Sequence, residues 1–263
     1  MTNNSLISSV ESWEYTFDGL IFKVLPDKKL SLIALEVRHA ESKEASFAVV
    51  DYKKKQVLFH GLGLEENWWV GLTAFYEGKL FFHLFEGKEY PQPTGLLVAD
   101  AFEQSLLWER KGVYLEKVNK QGVLVSLLKK EERTSLLLDK ESGNELEQKH
   151  FADFESTEQE ITLPFQYAEG SDYFNTVAQF LKQKLEVEIS RRVDYLEYKN
   201  HIMISYWKQK KNCLVILNEK GEILSHDLLQ ESEGNQSEET FFLINNYSIS
   251  IKHKHTILIN ELT

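Results

Sequence analysis

Leu96-Leu97-Val98-Ala99-Asp100, a polar turn, then Leu106-Leu107-Trp108-Glu109 is the stretch that decides the fold. Apolar runs of four or five residues have the length of a strand, not of a helix. An Asp closing the first run can accept hydrogen bonds from its own backbone two residues on, which opens a tight turn. The outline recurs three times. Phe47-Ala48-Val49-Val50-Asp51 leads through Lys53-Lys54-Lys55 to Val57-Leu58-Phe59-His60. Leu136-Leu137-Leu138-Asp139 leads through Gly143 to Leu146-Glu147-Gln148. Leu214-Val215-Ile216-Leu217-Asn218 leads through Gly221 to Ile223-Leu224-Ser225-His226.

Upstream of each unit lies a second pair of apolar runs. These are 20–25 with 30–36, 70–76 with 80–85, 113–118 with 123–128, and 193–198 with 202–207. Their turns carry Pro26-Asp27, Glu77-Gly78, Asn119 to Gly122, and Lys199-Asn200. Each repeat therefore holds four short antiparallel strands. Four-stranded units recurring at about 40–50 residues are the mark of β-propeller blades. A fifth copy has only three runs, 241–245, 247–252 and 256–260, with Asn260 in the place of Asp51 and Asp100. The segment 12–17, whose Trp13-Glu14 matches Trp108-Glu109, is expected to supply the missing strand. Asp139 and Asn218 are 79 residues apart, about one blade too many. Ser171-Asp172 can cap a helix, and Phe174, Val177, Ala178, Leu181 and Leu185 share one helical face. The expected fold is one all-β domain over 1–263. It is a five-bladed β-propeller with the N-terminal strand closing the last blade, and 151–190 is an insertion carrying a helix at 172–185. Six blades are the alternative.

Composition narrows the function. The 263 residues carry 30 basic and 41 acidic side chains, a formal charge of −11. That balance argues against nucleic acid, which needs a basic face. A single cysteine, Cys213, excludes an intrachain disulfide and fits a reducing compartment. No apolar run approaches the roughly 20 residues of a membrane helix, and residues 1–11 lack the pattern of a secretory signal. A cytoplasmic monomer without membrane contact is expected.

At Gly95 to Asp100 with Leu107-Trp108-Glu109, the chain resembles the repeats of quinoprotein-like and WD-type propellers. In those a strand ends in Asp, a turn follows, and the next strand carries Trp. The chain also looks similar to bacterial families of unknown function. The resemblance implies a fold and no activity, and no quinone-binding or glycosidase motif accompanies it.

Candidate binding residues lie on the face expected to carry the longer loops. Trp68, Trp69, Tyr90 and Trp207 can form an aromatic platform for a sugar or a peptide. The competing use is packing, the commoner role of such residues. Glu116, Asp194 and Glu197 are acids near the expected channel, where a glycosidase would need two carboxylates at a defined separation. His253 and His255 alternate on an expected strand, yet no third ligand accompanies them, so no metal and no cofactor is expected. The lysine groups at 53–55, 129–130 and 208–211 read as solvated turns that block edge pairing. The expected function is a non-catalytic binding or protein-interaction scaffold, its partner an unidentified protein or carbohydrate. A propeller hydrolase acting on a glycan is the alternative.

Overall fold

A computed structural model of the protein describes residues 9–62, 64–86, 91–127, 134–147, 161–231 and 240–263. After β1 (Val10–Thr16), the first sheet takes β2 (Leu20–Asp27), β3 (Leu32–His39), β4 (Glu44–Asp51) and β5 (Gln56–His60). The second takes β6 (Val70–Tyr76), β7 (Lys79–Phe85), β8 (Pro93–Asp100) and β9 (Ser105–Lys111). The third takes β10 (Val113–Asn119), β11 (Gly122–Leu127) and β12 (Ser135–Leu138). The fourth takes β13 (Phe165–Ala168) and, after α1 (Asp172–Leu185), β14 (Ser190–Tyr198), β15 (His201–Lys208), β16 (Lys211–Asn218) and β17 (Ile223–Gln230). The fifth is β18 (Phe241–Ile244), β19 (Tyr247–Lys252) and β20 (Thr256–Leu262), and β1 pairs antiparallel with β20. The chain is thus nearly all β, and its antiparallel sheets are built from strands in chain order, as propeller blades are.

Two compact units result, Asp18–Gln159 and Met1–Phe17 with Glu160–Thr263. In the first, alternation drives the packing: Phe82 on β7 faces the first sheet, while its neighbour Phe81 faces the third. In the second, one face of the fourth sheet packs Met203, Leu214 and Ile216 against Phe241, Leu243 and Leu258 of the fifth. The other face packs Ile204, Tyr206, Val215 and Leu217 against Phe174, Val177 and Leu181 of α1. The helix begins where expected: the Ser171 side chain accepts from the Phe174 amide.

The turn chemistry is the one the repeats imply. Oδ1 of Asp51 accepts from the amides of Lys53 and Lys54 at 3.1 and 2.8 Å. Asp100, Asp139 and Asn218 do the same for the residues after them. Lys55, Gln104 and Gly143 each stand four residues after the turn acid and have positive φ, 56°, 51° and 69°. Only glycine takes that conformation without cost, so Gln104→Gly is expected to stabilise the protein by about 0.5 kcal/mol in urea denaturation.

Four expectations need correcting. The third sheet shows three strands among the described residues. In place of a fourth strand it has a single bridge between Leu138 and Glu145. Leu146-Glu147 offers one apolar residue and no apolar face, and Gln148, like Leu128 and Lys129-Lys130, lies outside the described residues. The fourth sheet gains β13 from the expected insertion, of which 151–160 lies outside the described residues. In the fifth sheet Glu261, not Asn260, opposes the first residue of β19, as Asp51, Asp100 and Asn218 oppose the first residues of β3, β7 and β15. Asn260, wholly buried, instead accepts from Ser12 Oγ of β1 at 2.6 Å. His253 and His255 sit in the β19–β20 turn, His253 at φ 53°, and share no strand face.

Within the first unit, side chains of one sheet satisfy backbone groups of the next. β6 and β10 each carry a bulge, after Leu72 and after Leu115. The Leu72 amide donates to Glu36 Oε2 of β3 at 2.7 Å, and the Leu115 amide donates to His83 Nε2 of β7 at 3.0 Å. A bulge leaves a ladder position unpaired, and a buried amide left so is costly. Gly95 marks another close approach. A Cβ there would lie 2.7 Å from the Arg110 carbonyl oxygen and 3.1 Å from the Lys111 Cα, both backbone of β9. Gly95→Ala is expected to destabilise by about 1–3 kcal/mol, as overpacking does, in the same denaturation experiment.

Candidate functional site

The structure gives most of the expected site residues structural partners. Glu66 Oε1 accepts from the amides of Trp68 and Trp69, both at 2.8 Å, and these bonds hold its carboxyl below the usual range. The Trp68 ring is half-buried under the Arg38 guanidinium, 5.1 Å from its centroid. Trp207 is buried in β15 beneath Arg191, 5.0 Å away, so it offers no open face as a platform. Trp68 and Trp69 belong to one compact unit and Trp207 to the other. Tyr90 lies outside the described residues. Glu116 occupies the bulge of β10. Asp194 is buried: it takes Thr240 Oγ1 at 2.7 Å and lies 2.9 Å from Arg192 Nε. Burial pushes its pKa up against the pull of Thr240 and Arg192. It ties the fourth sheet to the segment entering β18. Burial likewise raises the half-buried Cys213 thiol.

Of the acids singled out, Glu197 stands apart, because it lines a cleft of about 450 Å³ between α1 and the fourth sheet. Strand alternation places Val193, Tyr195 and Glu197 of β14 on the face that α1 covers. β15 contributes Ile202 and Ile204 as the floor. α1 contributes Tyr173, Thr176, Val177 and Phe180, and β13 contributes Tyr167. The 3.6-residue period separates these roles: Phe174, Val177 and Leu181 seal the helix to the sheet, while Tyr173, Thr176 and Phe180 stand at the rim. The size falls in the range of small-molecule pockets.

The cleft's walls are aromatic. Tyr167 and Tyr173 stack with centroids 5.0 Å apart and planes 16° from parallel. Tyr195 meets Tyr167 at 6.3 Å and 43°, which makes a corner. The Tyr195 hydroxyl donates to Glu197 Oε1. Burial, and next the bond to Glu197, push the Tyr195 phenol up, so it stays a neutral donor at physiological pH. Glu197 is the single carboxylate among the lining residues, and none of them is basic. No group of three metal-binding side chains occurs among the described residues. No helix among them is long and apolar enough to cross a membrane.

Residues 26–108 match the model of a family described as a domain of unknown function (DUF4905). They correspond to the first two sheets and less than half of the chain. No curated protein matches it. Among solved structures, it is similar to the β-propeller domain of the Trilobed protease of Pyrococcus furiosus. There the identity is 9%, the TM-score 0.34, and the match covers 88% of this chain and 60% of that one. The WD40 domain of SCAP from fission yeast matches at 8% identity and TM-score 0.33, over 96% of this chain and 54% of that one. TolB from Acinetobacter baumannii matches at 10% identity and TM-score 0.27, over 93% and 56%. The chain thus spans less than two thirds of the length of these three.

Proposed function

We propose that the five sheets are the blades of one β-propeller, with β1 as the last strand of the fifth. In this reading the protein is a non-catalytic binding scaffold whose ligand site is the cleft between α1 and the fourth sheet. The observation that carries it is the tyrosine-walled cleft of about 450 Å³, in which Glu197 is the lone carboxylate. A glycosidase needs a second acid across the substrate. The buried Asp194 is committed to Thr240 and Arg192 and lies outside the lining. An α1 that builds a cleft wall gives the helical insertion a purpose that blade packing does not require.

Methyl NMR of the full chain tests this. Ile202 and Ile204 are reporters in the cleft floor. A panel of p-cresol, indole, methyl glucoside and choline is added in turn. At least one is expected to shift those two methyl signals selectively, and Thr176→Trp, at the exposed rim, is expected to abolish the shift. If no compound moves them, the cleft is not a ligand site. Turnover of nitrophenyl glycosides that is lost in Glu197→Gln overturns the non-catalytic reading.

A further inference from the structure

We infer that the cleft is built for an alkylated ammonium head, a cation with methyl groups rather than ordinary N–H donors. This rests on the cleft being the ligand site and adds the class of ligand. Three observations converge on it. First, the lining carries three tyrosine rings: Tyr167 and Tyr173 lie face to face with centroids 5.0 Å apart, and Tyr195 is tilted 43° to Tyr167. The face of an aromatic ring carries negative quadrupole density, and a cation within about 6 Å of its centroid is attracted. Second, the lining holds one formal charge, Glu197, and no lysine or arginine, so the site's charge favours a cation. Third, Glu197 already accepts a hydrogen bond from the Tyr195 hydroxyl. That bond fixes the carboxylate at the corner and leaves the tyrosine neutral, its ring face intact.

The floor refines the class. Ile202, Ile204 and Val177 give the cleft an apolar base with no hydrogen-bond acceptor for an N–H donor. A primary ammonium seated there could give Glu197 only some of its three N–H donors and would leave the rest against the apolar base, which is costly. A methylated head has none to satisfy and buries its methyl groups on the same surface. Burial alone would not distinguish charge, so the discriminating comparison holds shape constant.

Choline and 3,3-dimethylbutan-1-ol have the same shape, with nitrogen in one where carbon stands in the other. Each is titrated into the full chain while the Ile202 and Ile204 methyl signals are followed. Choline is expected to bind about 5- to 20-fold more tightly, the scale of a partly desolvated cation–π contact plus one carboxylate. Glu197→Gln is expected to weaken choline several-fold and leave the alcohol unchanged. Tyr173→Ala, at a position 68% exposed and so tolerant of change, is expected to weaken both. Equal binding of the two probes overturns the ammonium reading and leaves an apolar ligand site standing. Failure of both probes overturns the ammonium reading, and whether p-cresol or indole still shifts the same methyls then decides the fate of the ligand site.

Discussion

Glu36→Ala is expected to lower the unfolding free energy by about 3–5 kcal/mol, the cost of leaving a buried charge without its partner. Glu36 is 1% exposed on β3. Its Oε1 accepts from Arg38 Nε at 2.7 Å and lies 2.6 Å from Nη2, and its Oε2 accepts from the Leu72 amide. Arg38 extends the network to the carbonyl oxygens of Trp68 and Val70 at 2.6 and 2.5 Å. Removing the carboxylate therefore strands a mostly buried guanidinium and a buried amide at once. Glu36→Gln keeps the acceptor for Leu72 but not the charge, so its loss should fall between wild type and Glu36→Ala. The double variant Glu36→Ala, Arg38→Ala should lose less than the two single losses added, because the second change removes the stranded charge. Urea denaturation of the full chain reads all four. A loss under about 1 kcal/mol for Glu36→Ala would show that water, not Glu36, completes the bulge in β6.

Much of the fold was legible because its punctuation is local. Asp51, Asp100, Asp139 and Asn218 open their turns by bonding residues two to four positions on, and a short-range bond leaves a short-range signature. The α1 boundaries followed from Ser171 and the apolar spacing for the same reason. What failed depends on pairing across distance. β13 is only four residues long, Phe165-Gln166-Tyr167-Ala168, mostly exposed, and becomes a strand because β14 presents an edge to it. Glu261 and Asn260 differ by one place, and only the ladder with Tyr247 and Ser248 decides which takes the turn-acid position.

The site was less legible. Trp68, Trp69 and Trp207 stand out as large aromatics, yet Trp68 and Trp207 each lie against a guanidinium and Trp69 is half-buried. The tyrosines of the cleft come from three elements separated by up to 28 positions, Tyr167 to Tyr195, and no spacing rule joins a strand, a helix and the next strand. One signal was present. Tyr195 and Glu197 alternate on a strand opposite a helix with Tyr173 and Phe180 beside its sealing stripe, so aromatic rings flank the apolar face. Glu197 was singled out among the acids, but its partner in the cleft is a phenol and not a second carboxylate.

Between pH 6.5 and 4 the protein is expected to lose about 2–3 kcal/mol of stability through His83 alone. His83, 5% exposed on β7, stacks on Tyr114 at 4.5 Å and accepts the Leu115 amide through Nε2. An imidazole that accepts at Nε2 is neutral, its proton on Nδ1. Burial, helped by the charge of Lys23, lowers its pKa to about 4. The folded state therefore binds fewer protons than the unfolded chain in this window, and stability rises with pH. The His83 contribution is complete above the unfolded pKa of about 6.5 and drains away as the pH falls toward 4. Protonation also turns Nε2 from acceptor to donor, which opposes the Leu115 amide directly. His83→Gln keeps an acceptor in reach of that amide without a titrating group. Its stability should fall less steeply than wild type from pH 6.5 to 4, and the two profiles should run parallel above pH 7. His201 and His226, whose pKa values burial also lowers, and carboxylates that hydrogen bonds hold below their usual range, Glu66, Glu77 and Asp139 among them, contribute the slope that remains in the variant. Identical profiles for the two proteins would mean that His83 protonates in place and that the bond from Leu115 to Nε2 does not join the second sheet to the third.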